Sequence, residues 1–185
     1  SKIFTAEHFI KQERFDEALP LLRTAVDADR TDVRAWLALG QTYFALNIFD
    51  EAFHAFAAVV AQDKKNTVAL HSAARALYQL GNFKKAYAYA AELIKLDLVN
   101  EDTLITRGLS AQKAGFPETA EQDYTKILEI NPDNADALHN LATLKAAKKE
   151  FPEAIGLFEK AYLLNPNNKA ALGNAIYYAR SICAW

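Results

Sequence analysis

The chain has 185 residues, 51% of them hydrophobic and 24% charged, a composition that excludes disorder as a description of the whole. Six glycines and five prolines are too few for the turn chemistry of a many-stranded β-sandwich, so helix is predicted. Lys+Arg 21 against Asp+Glu 23 leaves a net charge of −2, with no electrostatic footprint for nucleic acid or an anionic membrane in the totals.

The predicted elements fall into units of fixed length. Unit one, residues 1–32, has a shortened first helix crowded with Ile3, Phe4, Phe9 and Ile10, and a second helix holding Phe15 and Ala18. Unit two, 33–66, places Trp36, Leu39, Gly40 and Tyr43 at helical spacing, breaks at Leu46-Asn47, and resumes with Ala52, Phe56 and Val59. Unit three, 67–100, breaks at Leu80-Gly81 before Ala86, and unit four, 101–134, at Ala114-Gly115 before Ala120. Unit five, 135–168, breaks at Lys148-Lys149 before Ala154, and a last helix is predicted over 169–185.

Three ladders run through these units at a spacing of 34. The first is Ala18, Ala52, Ala86, Ala120 and Ala154, where a small side chain lets two antiparallel helices approach. The second is Phe15, Phe49, Phe83 and Phe151, with Pro117 at the one exception. The third, Asp32, Asn66, Asn100, Asn134 and Asn168, precedes apolar runs and predicts an N-cap for each first helix. Pro132 and Pro166 sit just ahead of two of these caps, where the preceding helix must stop.

The sequence resembles the tetratricopeptide repeat (TPR) family. Trp36, Leu39, Gly40, Tyr43, Ala52, Phe56 and Val59 stand at that family's offsets, as do Gly108, Ala120, Tyr124 and Pro132. Leu138, Leu141, Ala154, Phe158, Ala161 and Pro166 repeat the pattern in the fifth unit. The resemblance implies an all-α fold over a single domain, 1–185: a right-handed superhelix of five helix-turn-helix repeats plus a C-terminal helix. Two positions depart from the pattern. Arg107 replaces Leu39 and Leu141, and Lys145 replaces Tyr43 and Leu77. Both are expected to lay their stems on the core, with the charge reaching water or a carboxylate such as Asp123.

A solenoid binds mainly with its inner face, so the resemblance implies a non-enzymatic module that takes a peptide or partner segment in a concave groove. The groove offsets give Arg34, Leu37, Gln41 and Phe44; His71, Ser72, Arg75 and Tyr78; and Ile105, Thr106, Leu109 and Gln112. His139, Asn140, Asn174 and Tyr177 complete the set. Ser72, Thr106, Asn140 and Asn174 share one offset and form a polar row suited to peptide backbone. The row is similar to the asparagine ladder in the superhelix of O-GlcNAc transferase, which Asn140 and Asn174 match. The two-carboxylate clamp of heat-shock cochaperones is not matched: Leu37, Gln41, Ser72, Asp102 and Thr106 stand at its offsets.

No catalytic site, cofactor or metal is expected. His71 and His139 lie two repeats apart, too far to share a metal at bond lengths of ~2 Å, and the single Cys183 excludes both an internal disulfide and a Cys-rich zinc site. No stretch approaches the ~18 apolar residues of a membrane span, and a cytoplasmic location is expected, or the periplasm if a leader has been removed. The absence of methionine suggests processing or a cut from a longer chain. The last helix carries apolar residues on more than one face, so self-association through Tyr178, Ile182 and Trp185, as a homo-oligomeric scaffold, is the alternative expectation. A chaperone or assembly role fits the first reading.

Overall fold

A computed structural model describes residues 2–183, and Trp185 therefore lies outside the described residues. These residues form eleven helices: α1 (Lys2–Lys11), α2 (Phe15–Ala28), α3 (Val33–Ala45), α4 (Phe49–Gln62), α5 (Thr67–Gln79), α6 (Phe83–Lys95), α7 (Glu101–Ala114), α8 (Pro117–Ile130), α9 (Ala135–Ala147), α10 (Phe151–Leu164) and α11 (Lys169–Cys183). Odd-numbered helices up to α9 open a repeat, even-numbered ones close it, and α11 follows the fifth. The fold is all-α, with the helix pairs placed where the period of 34 puts them.

Local bonds explain each boundary. Asp32, Asn66, Asn100, Asn134 and Asn168 all accept from the backbone N–H three residues on, at 2.9–3.2 Å. Asn100 adds a capping box with Thr103, whose hydroxyl receives the Asn100 N–H. Inside each repeat the corner residue is left-handed: Glu13, Asn47, Gly81, Gly115 and Lys149 have φ of 59°, 60°, 74°, 89° and 64°. The residue after the corner donates back to a carbonyl five positions earlier, as Ile48 does to Tyr43 and Phe116 to Ala111, which closes a Schellman turn. Between repeats the joints differ. Asp29, Asp63, Asn131 and Asn165 each accept, through the side chain, from the backbone N–H two residues on.

The loop after α6 breaks that rule. Asp97 occupies the same sequence position but turns left-handed, with φ of 59°, and Leu98 donates to Leu93 in a further Schellman turn. Its neighbours there are the apolar Leu98 and Val99 where the other loops carry Arg30-Thr31, Lys64-Lys65, Pro132-Asp133 and Pro166-Asn167. The chain divides at this point. By its contacts the chain groups into two compact units, Ser1–Leu98 and Val99–Trp185.

In unit 1 the core runs through Ala18, Leu22, Leu39, Tyr43, Ala52, Phe56 and Ala73, all buried. Ala18 and Ala52 are fully enclosed, and Gly40 lies so near the Phe56 ring that an added Cβ would stand 2.6 Å from it. In unit 2 a cluster of Leu138, Ala142, Ala154, Phe158, Ala161 and Ala175 closes α9, α10 and α11 on one another. Gly108 meets Tyr124 as Gly40 meets Phe56, at 2.8 Å from its absent Cβ.

Candidate peptide-binding face

In unit 1 the first helices α1, α3 and α5 lie side by side. Leu37 is half-buried and Gln41 exposed on α3, and together with Glu7, Ile10, Lys11 and Arg34 they line a cavity of about 670 Å³. Gln41 also borders a second cavity of about 160 Å³, whose other walls are Phe44, Phe56, Ser72 and Arg75. Gln41 therefore borders both.

The charges on this face are organised. Arg34 forks onto Glu7, with Nε 2.6 Å from Oε1 and Nη2 on the other oxygen. That pair holds the Glu7 carboxyl below the usual range, through the hydrogen bond first and charge second. The Arg75 guanidinium stacks 5.0 Å above the Phe44 ring, which meets Phe49 edge-on at 5.2 Å. Tyr78 is propped in the same way on Phe83, at 5.3 Å. Of the expected residues, Arg34, Leu37, Gln41, Phe44, Ser72 and Arg75 line the two cavities, while His71 and Tyr78 line neither.

Glu7, Ile10 and Lys11 on α1 were not among the expected residues. The repeat contained the signal: Glu7 stands 34 before Gln41, and Ile10 stands 34 before Phe44.

Unit 2 treats its expected residues differently. Ile105, Leu109, Asn140 and Asn174 are half-buried and Tyr177 is 65% exposed. Thr106 interrupts the polar row, because it is only 8% exposed and its hydroxyl donates to the Asp102 carbonyl of its own helix. The Gln112 amide oxygen accepts from Tyr124 Oη at 3.0 Å. His139 packs edge-on against Phe158 at 5.4 Å, with a buried Nδ1 that no described residue bonds. Burial pushes its pKa below the usual histidine value, and the charge of Asp136 opposes that.

The two departures from the repeat pattern are both ion-paired. Arg107 Nε donates to Asp123 Oδ2 at 2.9 Å and Nη2 engages the other oxygen; Asp123 is 1% exposed. Burial drives the Asp123 carboxyl up despite its partner. Lys145 reaches Glu150 at 2.9 Å, Glu121 at 3.0 Å and Glu153 at 3.3 Å, which holds its ammonium above the ordinary lysine range. Lys148 shares Glu121 and depresses that carboxyl.

Tyr178 of the last helix is also spoken for. Its ring stacks on Phe151 at 5.4 Å and on Phe158 at 6.2 Å, so it belongs to the core of unit 2 rather than to a free surface. Ile182 stays 42% exposed.

Models of the tetratricopeptide repeat match residues 5–67, 68–100 and 111–176. The chain belongs to the tetratricopeptide repeat family. As such it is a protein–protein interaction module.

Curated relatives are longer. Over 84% of this chain it is 27% identical to the probable UDP-N-acetylglucosamine–peptide N-acetylglucosaminyltransferase SPINDLY of Hordeum vulgare, covering 17% of that protein. Over 91% it is 29% identical to human protein O-mannosyl-transferase TMTC3, covering 20% of it. The chain thus spans about a fifth of these relatives. Among solved structures, MamA superposes with a TM-score of 0.80 at 22% identity, covering 89% of this chain and 96% of MamA. YrrB, described as a TPR protein with an unusual peptide-binding site, gives 0.83 at 21%, covering 93% of this chain and 89% of YrrB. At these identities the two structures share the fold. Among the described residues, no helix is long and apolar enough to cross a membrane.

Proposed function

We propose that the chain holds a peptide segment of a partner protein on the first-helix face of unit 1. The observation that carries this is the pair of adjoining cavities between α1, α3 and α5 that share Gln41. Leu37 and Ile10 supply apolar surface for a bound side chain, and the Gln41 amide can both donate to and accept from a peptide group. Arg75, held over Phe44, adds a fixed charge whose stacking limits the entropy lost on binding. YrrB, described as having an unusual peptide-binding site, and the relative named as a probable peptide N-acetylglucosaminyltransferase lend the reading support. A chaperone or assembly role is the use such a face would serve.

The test begins with peptides selected on the wild-type chain from a random display library. Leu37→Glu combined with Arg75→Ala should abolish their binding while leaving the helical circular dichroism unchanged. Undiminished binding by that variant would remove the site from this face.

A second reading rests on α11, where Leu172, Ile176, Tyr177 and Ile182 are 36%, 45%, 65% and 42% exposed. On that reading the chain self-associates through its last helix. Light scattering across a dilution series, repeated with Ile176→Ser and Tyr177→Ser, separates it from the first: a strict monomer excludes it.

A further inference from the structure

The second-helix side of unit 1 carries a groove at a junction whose counterparts between α2 and α3 and between α8 and α9 are strapped by a side chain. Each inter-repeat loop presents a backbone carbonyl two residues before the N-cap. Between α2 and α3, the Arg30 carbonyl accepts from Trp36 Nε1 at 2.9 Å and from Gln62 Nε2 at 3.2 Å. The half-buried Trp36 ring packs there against the unit 1 core. Between α8 and α9, the Pro132 carbonyl accepts from Lys160 Nζ at 2.8 Å, and that ammonium also pairs with Asp133 at 3.1 Å.

At the junction between α4 and α5 the strap is missing. Leu70 stands 34 residues after Trp36, Leu96 stands 34 after Gln62, and Glu92 stands 68 before Lys160. None of these side chains has an N–H to give. A cavity of about 450 Å³ opens at this junction, lined by Ala57, Val60, Ala61, Leu70 and Tyr89 together with Lys64 and Glu92. The Tyr89 ring is fixed edge-on against Phe53 at 5.9 Å.

We propose that this groove receives a tryptophan side chain from a partner polypeptide, its indole N–H donating to the Lys64 carbonyl. The chain supplies the template, since Trp36 makes that bond one repeat earlier from the position Leu70 occupies here. The walls are apolar and one is aromatic, which suits an indole ring. Charge selects indole over ammonium. Where Lys160 finds Pro132 and Asp133, a cationic side chain entering this groove would meet Lys64 and Lys65, and the Glu92 carboxylate is already paired with Lys95 at 2.6 Å. The site is separate from the α1–α3–α5 face and does not depend on it.

Titration of the ¹⁵N-labelled full chain with a short blocked peptide bearing one tryptophan tests the proposal. Amide shifts are expected at Ala61, Lys64, Leu70, Tyr89 and Glu92. Replacing the tryptophan by 1-methyltryptophan keeps the ring, removes the donor, and should weaken binding roughly fivefold, the worth of one hydrogen bond. Leu70→Trp, which refills the groove from within, should abolish the shifts. Ala61→Trp, at an exposed rim position, should do the same without touching the core. Absent shifts, shifts elsewhere, equal binding of a lysine-bearing peptide, or binding that survives Ala61→Trp would each overturn the proposal.

Discussion

The two units are built on one frame and fill it with different chemistry. In unit 1, Thr42 is the buried polar side chain, and its hydroxyl donates to the Ala38 carbonyl of its own helix. Unit 2 buries Thr103, Thr106, Ser110 and Asp123, and sets Arg107 where other repeats hold Leu39, Ala73 and Leu141, and Lys145 where they hold Tyr43, Leu77 and Ala111. The frame tolerates a charge inside a repeat when the adjacent helix of the same unit supplies its counter-ion. Arg107 of α7 finds Asp123 of α8, and Lys145 of α9 finds Glu121 of α8 together with Glu150 at the N-cap of α10 and Glu153 in its first turn. Unit 1 keeps its charges at the surface, as at Arg34 and Arg75.

The sharpest way to break this contrast is to remove one buried carboxylate. Asp123→Ala deletes the group that the Arg107 guanidinium forks onto and should cost unit 2 about 3–5 kcal/mol. Arg107→Leu with Asp123→Leu, which imports the apolar solution of other repeats, should recover most of that loss. Hydrogen exchange resolved by peptide will assign the change to residues 99–183; an equal loss in both variants would mean that the pair itself is not the cause. In unit 1 the corresponding test is steric. Gly40→Ala drives a methyl into the Phe56 ring and should cost about 1–3 kcal/mol in the same assay.

Acid gives a third test, with the signs set by two groups. The Glu121 carboxyl is depressed by Lys148 and Lys145, so its stabilisation is present above the unfolded value of about 4.3 and is lost as pH falls through the folded one. His139 is held neutral by burial, so stability also falls as pH drops below about 6.5 towards its lower folded pKa. Asp123 acts in the opposite sense, since its raised pKa favours proton uptake by the folded chain and offsets part of the loss. Denaturant melts between pH 7 and about 3 should therefore show unit 2 weakening, with His139→Phe removing the portion near pH 6. The smallest effect is at the corners: Lys149→Gly should stabilise by about 1 kcal/mol, the left-handed penalty of a residue with a Cβ, and thermal melts will read it.

Much of this was legible in the residues because the signal repeats. All five N-caps form, the alanine ladder is fully buried, and the Arg107–Asp123 pair joins two residues whose offsets place them in one repeat. What escaped depends on where side chains turn after the backbone is set. Thr106 bonds its own helix instead of facing a groove, and Tyr178 folds back between Phe151 and Phe158, choices that helical periodicity leaves open. The different turn after α6 was hidden because Asp97 keeps the residue type of its ladder while its backbone turns left-handed. Glu7 and Ile10 were passed over because α1 has 10 residues against 13 or 14 in α3, α5, α7 and α9, and so carries a weaker pattern.

The five left-handed corners bear on how such a chain changes over time. Glu13, Asn47, Gly81, Gly115 and Lys149 share a backbone shape across four residue types. The shape is specified by the Schellman bonds around it, so a duplicated unit inherits its corner whatever side chain later drifts into it. Adding or deleting a whole repeat is thus a smaller disturbance to this architecture than inserting one residue within a helix, and repeat number is the property its lineage could alter most readily.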